Sequence, residues 1–317
     1  MNDFADSINV PTAVDIIIPY YRAFDYLCEA VESVRAQTFT NFRLLVIDDS
    51  PNDLIARGFI ESLKDPRISY VSNPRNLGLN KTLEIAKTLS NAKWTIFLGH
   101  DDRLLPGYLE RLLAVSQKYP TAALIQSRTQ VIDSNGLIFR PLPDKTKDLI
   151  WRASTLQSTR GGNAKHDPVT TLINWKIAIN MIAIGDFLYF PLIMWKRDFL
   201  LQSPFRMDLL VTSDIEILFQ IFLLKGDLLL VDEELGQYRR HHKSLSENPE
   251  AKLSRLIEES ATYNEMSSLF KVRKLMLARI LSRIRISTRL YIFYECAKCL
   301  VFRDFKRAGK FFLLGSH

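Results

Sequence analysis

Between Val14 and Ile132 the chain sets short runs of β-branched and other apolar residues against stretches in which apolar residues return every third or fourth position. The runs "VDIIIPY", "FRLLVIDD", "RISYVSN", "KWTIFLG" and "AALIQSRTQVID" read as strands. Between them, "YLCEAVESVRAQ", "LIARGFIESL", "KTLEIAKTLS" and "PGYLERLLAVSQKY" read as helices, the last with Pro106 in its first turn. Strands that alternate with helices in this way are parallel neighbours in one sheet, and the helices cover both of its faces. Ser134, Asn135 and Gly136 follow the fifth run and mark a tight turn.

An α/β sheet of this kind binds ligands beyond the carboxyl ends of its strands. The polar residues collect there: Tyr20, Tyr21 and Arg22 after the first strand, Asp48 and Asp49 after the second, Asn73 and Arg75 after the third, and His100, Asp101 and Asp102 after the fourth. One aspartate pair could be a turn or a helix cap. Two pairs on one rim point to a ligand site, because adjacent carboxylates are costly unless a positive charge lies between or above them. No GxGxxG follows the first strand and no GxxxxGK[ST] occurs, so backbone amides are not the evident phosphate cradle. A divalent cation such as Mg²⁺ or Mn²⁺, shared between carboxylates and phosphates, would supply the missing charge.

Charge is unevenly spread. From Lys271 onward there are 12 Lys and Arg against Glu295 and Asp304, so this segment carries formal +10 of a total of +7. The segment before it is slightly acidic. Cys28, Cys296 and Cys299 are too few for a disulfide framework, and the opening "MNDFADSINV" lacks the pattern of a secretion signal. A cytoplasmic setting is expected, with Cys296 and Cys299 as helix-packing thiols rather than a metal or redox pair. No stretch has the ~18 uncharged apolar residues of a spanning helix. The nearest, Ile177 to Trp195, is broken by Asp186 and Pro191 and reads as core.

The run "VDIIIPYYRAFDYLCEAVESVRAQTFTNFRLLVIDDSPND" resembles the opening of family 2 glycosyltransferases, enzymes with the nucleotide-diphospho-sugar fold called GT-A. The likeness continues through "NPRNLGLNKTLEIA", "IFLGHDDRLLPGYLERL", "SDIEILFQI" and "YRRHHKSLS", covering roughly residues 13 to 246. It implies an α/β fold with a mixed, mainly parallel sheet flanked by helices and followed by a C-terminal helical extension. The implied divisions are 1–135 for nucleotide-sugar binding, 136–250 for the acceptor and 251–317 for the basic helical region.

The resemblance also implies roles. Asp49 contacts a base such as uracil, with Asp48 beside it, and Pro19, Tyr21, Asn76 and Lys81 complete the donor site. Asp102 is the direct ligand of a cation, Mn²⁺ or Mg²⁺, Asp101 faces donor sugar or ribose, and His241 completes the metal shell or meets the diphosphate. Asp214 is the general base, although "TSDIEIL" would equally suit it as a helix cap. The chain departs from the pattern at Gly99 and Ser213, where an acidic residue is usual, and at Arg22, where Asn is usual. The expected activity is inverting transfer from a UDP-sugar to a saccharide or lipid-linked saccharide, in bacterial surface polysaccharide synthesis. A polyprenyl phosphate acceptor and a nucleotide-binding relative without catalysis are the alternatives.

Beyond residue 140 the alternation fades. Residues 158–167, "STRGGNAKHD", read as a loop, and Trp175, Tyr189 and Trp195 read as core more readily than as sugar-stacking platforms. In the tail, Leu275, Leu277, Ile280, Leu281 and Ile284 interleave with Lys274, Arg279, Arg283 and Arg285. This basic amphipathic pattern suits an anionic membrane surface or docking on the domain, and no nucleic-acid module accompanies it.

Overall fold

The structure, a computed structural model, describes residues 12–159, 169–241, 249–284, 286–301 and 309. The first part is β1 (Val14–Tyr20), α1 (Phe24–Arg35), β2 (Phe42–Asp48), α2 (Leu54–Ser62), β3 (Ile68–Ser72), α3 (Leu79–Leu89), β4 (Trp94–Phe97), β5 (Arg103–Leu104), α4 (Tyr108–Lys118) and β6 (Ala122–Ile132). There follow α5 (Leu142–Thr159), β7 (Thr170–Ile173), α6 (Trp175–Ile184), β8 (Ile193–Lys196), α7 (Arg197–Leu201), α8 (Ser213–Leu223) and β9 (Asp227–Arg239). The chain then turns helical: α9 (Pro249–Val272), α10 (Met276–Ile284) and α11 (Ile286–Val301).

The sheet order is β3-β2-β1-β4-β8-β6-β9-β5, with β7 also on β9. β1 pairs in parallel with β2 and β4, and β2 with β3. The fifth strand-like run does not extend that series directly. β8 inserts antiparallel between β4 and β6, so the sheet is mixed, and β8 and β9 from the later half lie within it.

Side chains alternate across the sheet, as a period of two requires. Ile16, Ile18, Leu44, Val46 and Ile96 join α1 and α4 in one core. Ile17, Leu45, Ile47 and Phe97 join α3, α6 and α8 in the other. Because both faces are covered, the central strands are apolar nearly throughout. Helix α4 begins at Tyr108 behind Gly107, whose φ of +84° is left-handed, so Pro106 precedes the helix instead of lying in its first turn. Gly136, at φ +83°, closes the turn expected at 134–136.

Trp195 is fully buried, and Trp175 and Tyr189 pack against the cores, as core reading anticipates. The loop expected at 158–167 starts in the last turn of α5, and its remainder lies outside the described residues, as does His242. Cys299 and Cys296 pack with Leu256 and Ile292.

α9 docks on the domain, and the first part of the basic tail, α10, docks with it. Tyr263, Met266 and Phe270 of α9 and Ala278 of α10 enter the core beside α6 and α8, each large apolar side chain contributing about 1.5–3 kcal/mol by burial. Tyr263 also donates to the Ile182 carbonyl at 2.7 Å. The opposite edge of α10, with Met276, Leu277, Ile280 and Ile284, remains exposed. Among the described residues no helix is long and apolar enough to cross a membrane.

Candidate active site

Four parallel strand ends lie side by side, and each sends its polar residues to the same edge. Asp48, fully buried, accepts from Ser50 N at 2.6 Å, Tyr70 Oη at 2.5 Å and Ser72 Oγ at 3.4 Å, so it shapes the turn. Asp49 binds the neighbouring loop: its Oδ1 accepts from Asn73 Nδ2 and Leu77 N, and its Oδ2 from Gly78 N, all at 2.8 Å. A carboxylate offers about four lone-pair directions, so one stays open to a ligand donor. Asn76 Oδ1 also accepts from Gly78 N at 3.0 Å, and Gly78 begins α3 at φ +81°, a conformation that favours glycine. Lys81 lies exposed in the first turn of that helix.

At the end of β1, Pro19 is half-buried and in register with Ile47, while Tyr20 donates to Asp53 at 2.7 Å. Tyr21 is 42% exposed, with the Arg22 guanidinium 5.2 Å from its ring centroid. Arg22 itself has a φ of +49°, and its amide donates to Ser50 Oγ.

Two strand spacings from Asp49, roughly 10 Å along the edge, stand the aspartates after β4. Asp101 Oδ2 lies 3.0 Å from His241 Nε2 at the end of β9. Burial works to raise the Asp101 carboxyl, but the His241 hydrogen bond and the charges of His100 and His241 outweigh it and hold the group below its usual value. Asp102 is 1% exposed; its Oδ1 accepts from Arg239 N at 2.8 Å, and burial and the neighbouring Asp101 raise its carboxyl well above normal. His100 sets its ring edge against Tyr20, at 6.1 Å between centroids.

Gly99 acquires a reason here. A Cβ at this position would overlap Asp102 Oδ2 and approach Asp101 Oδ1 to 3.1 Å. The missing side chain is the space that the Asp102 carboxylate occupies.

Arg239 and Tyr26 were not anticipated at this corner. The Arg239 guanidinium is buried, with Nε on the Asp101 carbonyl at 2.8 Å, NH1 on the Asp133 and Ser134 carbonyls, and NH2 on Glu29. It lies 4.6 Å from the Tyr26 ring, which in turn is 5.1 Å from the His241 ring. The spacing in "YRRHH" was visible; the long-range pairing with Glu29 and Tyr26 was not.

The donor set fits a divalent cation. Asp102 Oδ2 and His241 Nδ1 are both buried without a hydrogen-bond partner; the carboxylate oxygen is the donor type that Mn²⁺ or Mg²⁺ prefers, and the imidazole nitrogen is the softer of the two. Among the described residues no three His, Cys, Asp or Glu side chains form a closed cage, so such an ion would draw the rest of its shell from elsewhere.

Asp214 occupies a different environment, in the first turn of α8. Thr212 is the N-cap residue, and among the described residues Asp214 Oδ1 accepts only from the next amide, Ile215 N, at 2.8 Å. Burial first, and Asp186 second, push its carboxyl up to about 6, against the lowering charges of Arg255 and Lys147. Lys147 Nζ holds Asp186 at 3.0 Å and the Leu188 carbonyl at 2.6 Å. One turn earlier in α5, Asp144 receives both a bidentate pair from Arg240, at 2.8 and 3.0 Å, and the Tyr189 hydroxyl at 2.8 Å. A single turn of α5 thus links the residue before His241 to the surroundings of Asp214. Of these neighbours only Asp186 left a trace in the sequence, as the one carboxylate within an apolar run.

The fold, a mixed and mainly parallel sheet flanked by helices, is the GT-A fold of its structural neighbours. Among solved structures, S. aureus TarS 1–349 in complex with UDP-GlcNAc has a TM-score of 0.60 at 13% identity, covering 96% of this chain and 91% of that one. The same protein in complex with UDP gives 0.56 at 14% identity, covering 82% and 72%. The profile described as Glycosyl transferase family 2 matches residues 15–180, more than half of the chain, and the chain belongs to that family. An uncharacterized glycosyltransferase of Methanocaldococcus jannaschii is 31% identical over 140 residues, 43% of this chain and 48% of that protein. WcaA of Escherichia coli K12, named as a colanic acid biosynthesis glycosyl transferase, is 26% identical over 119 residues, 37% and 43% of the two chains. The matched part spans about half the length of these relatives or less.

Proposed function

We propose that this chain transfers a sugar, with inversion, from a nucleotide-diphospho-sugar to a hydroxyl of a saccharide or lipid-linked saccharide. The observation that carries the reading is Asp214: a carboxylate pushed up to about 6 at a helix head, close enough to neutral pH to be ionised and still basic. In this mechanism Asp214 takes the proton of the attacking hydroxyl. A divalent cation, when bound, would neutralise the charge developing on the leaving diphosphate, so that no protein acid would be needed there. Asp102 and His241 would hold that cation, and Asp101 would fix the His241 ring and face the sugar or ribose. Asp49, with Asp48 shaping its turn, takes the base, while Pro19, Tyr21, Asn76 and Lys81 border the nucleotide. Attack on the face opposite the leaving group inverts the anomeric centre.

TarS complexes with UDP and UDP-GlcNAc support a UDP-sugar donor, and the name of WcaA supports a role in surface polysaccharide synthesis. The tail supports a peripheral contact at the inner face of a membrane. Seven Lys and Arg and no carboxylate occur between Met266 and Tyr294, beside the exposed apolar edge of α10. A panel of sugar nucleotides incubated with the full chain and Mn²⁺ should reveal slow hydrolysis of one donor. That hydrolysis should fall by about 10²- to 10⁴-fold in Asp214→Asn. Nucleotide binding with no turnover of any donor would instead mark a relative without catalysis.

A further inference from the structure

The loop that delivers Asp214 is held by a helix outside the region matched by the family profile. Glu258 of α9 turns its carboxylate onto the three amides preceding α8: Oε2 accepts from Leu210 N at 2.9 Å, and Oε1 from Val211 N at 2.8 Å and Thr212 N at 2.7 Å. Oε1 also accepts from Thr212 Oγ1 at 2.9 Å, and that hydroxyl lies 3.0 Å from Thr262 Oγ1 on the next turn of α9. Thr212 and Thr262 are fully buried. Thr212 caps α8 without using its own side chain on the helix, so the orphan amides ahead of the helix depend on Glu258. From the other side, Asn80 of α3 donates to the Arg206 and Leu209 carbonyls, which fixes the start of the same loop.

We infer that Glu258 is a positioning residue for glycosyl transfer: its carboxylate clamps residues 210–212 and so sets where the Asp214 carboxylate stands. This rests on the reading of Asp214 as the base. The groups facing Asp214 are Asp186 after α6, Lys147 on α5, and Arg255 and Tyr263 on α9. Arg255 is itself raised, its burial outweighed by Asp214, Glu259 and Asp186. Release of the clamp lets Asp214 leave this surrounding for water, so its proton affinity and its aim change together. Burial alone would raise Glu258, but its three backbone amides outweigh that and keep it ionised, as a clamp needs to be.

The test titrates the Asp214 carboxyl by ¹³C NMR in the full chain, with Asp214→Asn to assign the signal. Wild type should titrate near 6. In Glu258→Ala the midpoint should fall toward the ordinary carboxylate value of about 4. Amide exchange at 210–212 should rise while the β1 and β2 amides stay protected. Turnover of the donor chosen by the panel should drop on the order of 10- to 100-fold in kcat, with donor KM little changed. Glu258→Gln keeps one acceptor oxygen and should move in the same direction by less. It also decides the matter if the alanine variant does not fold. An unmoved Asp214 midpoint together with wild-type exchange at 210–212 overturns the inference. Turnover retained in Asp214→Asn overturns the base reading instead, and the titration still decides what Glu258 holds.

Discussion

The two sides of the site are built by opposite means. The donor edge is local: each strand of β2, β1 and β4 ends in its own polar residues, and parallel pairing alone lines them up. Its carboxylates are anchored by several hydrogen bonds, as at Asp48 and Asp49, paired, as at Asp101 with His241, or, at Asp102, held by one backbone amide with the second oxygen left open. The base side is assembled from α5, the loop after α6, α8 and α9, and its central carboxylate accepts one amide and is otherwise desolvated. Several hydrogen bonds fix where a carboxylate stands and leave its remaining lone pair aimed, suited to holding a ligand. Desolvation raises proton affinity at Asp102 and Asp214 alike, but only Asp214 stands apart from the strand-end carboxylates, at a helix head, suited to taking a proton.

The largest effect that would break this contrast is on turnover. Asp214→Asn should lower kcat by about 10²- to 10⁴-fold, the usual contribution of a general base. Wild-type kcat should fall on acidification through about 6 and be flat above it, since only the ionised carboxylate accepts a proton. An acid limb that persists unchanged in a partly active Asp214 variant would move the base elsewhere.

Next in size is Gly99→Ala. The added methyl displaces the Asp102 carboxylate, because the neighbour it meets is a short side chain tied to Arg239 N. Such overpacking should cost about 1–3 kcal/mol in urea unfolding, and cation-dependent nucleotide binding should weaken while Asp214 titrates as before. Equal stability and equal binding would mean that Gly99 is not where Asp102 is seated.

The smallest effect concerns stability and has the opposite sign. The folded pKa of Asp214 lies above its unfolded value, so the stability it confers when protonated is lost as pH rises from the ordinary carboxylate range through about 6. Asparagine mimics the protonated acid. Asp214→Asn should therefore be more stable than wild type near neutral pH by about 3 kcal/mol at most, and no more stable at about pH 4. No gain at neutral pH would mean that the site does not strain its carboxylate.

The same contrast explains what could be read from the chain. The strands and helices up to Ile132 were legible because their periodicity is strong, and the donor edge because each aspartate pair follows a strand closely, Asp48 closing β2 and Asp101 standing four residues after β4. The place of β8 was not: "IMWK" is apolar, but nothing in four residues says that it will insert antiparallel between β4 and β6. Lys147, Arg255 and Glu258 were invisible for a related reason. They are ordinary charged residues on helices, and only tertiary packing brings them to Asp214. Gly99 was legible as a departure and illegible as a cause, since the atom it yields to lies three residues on. The amphipathic pattern of α10 was plain, yet which edge it buries depends on α6 and α9.

The most direct test compares Asp101→Ala with Asp214→Asn by calorimetry with UDP and Mn²⁺, alongside donor turnover. Asp101→Ala should lose UDP affinity by about tenfold or more, the loss of about one charge-assisted contact, and Asp214→Asn should bind UDP as wild type does while its turnover falls by about 10²- to 10⁴-fold. Equal loss of UDP affinity in both variants, or wild-type affinity in Asp101→Ala, would contradict the division of the site into a ligand-holding edge and a proton-taking helix head.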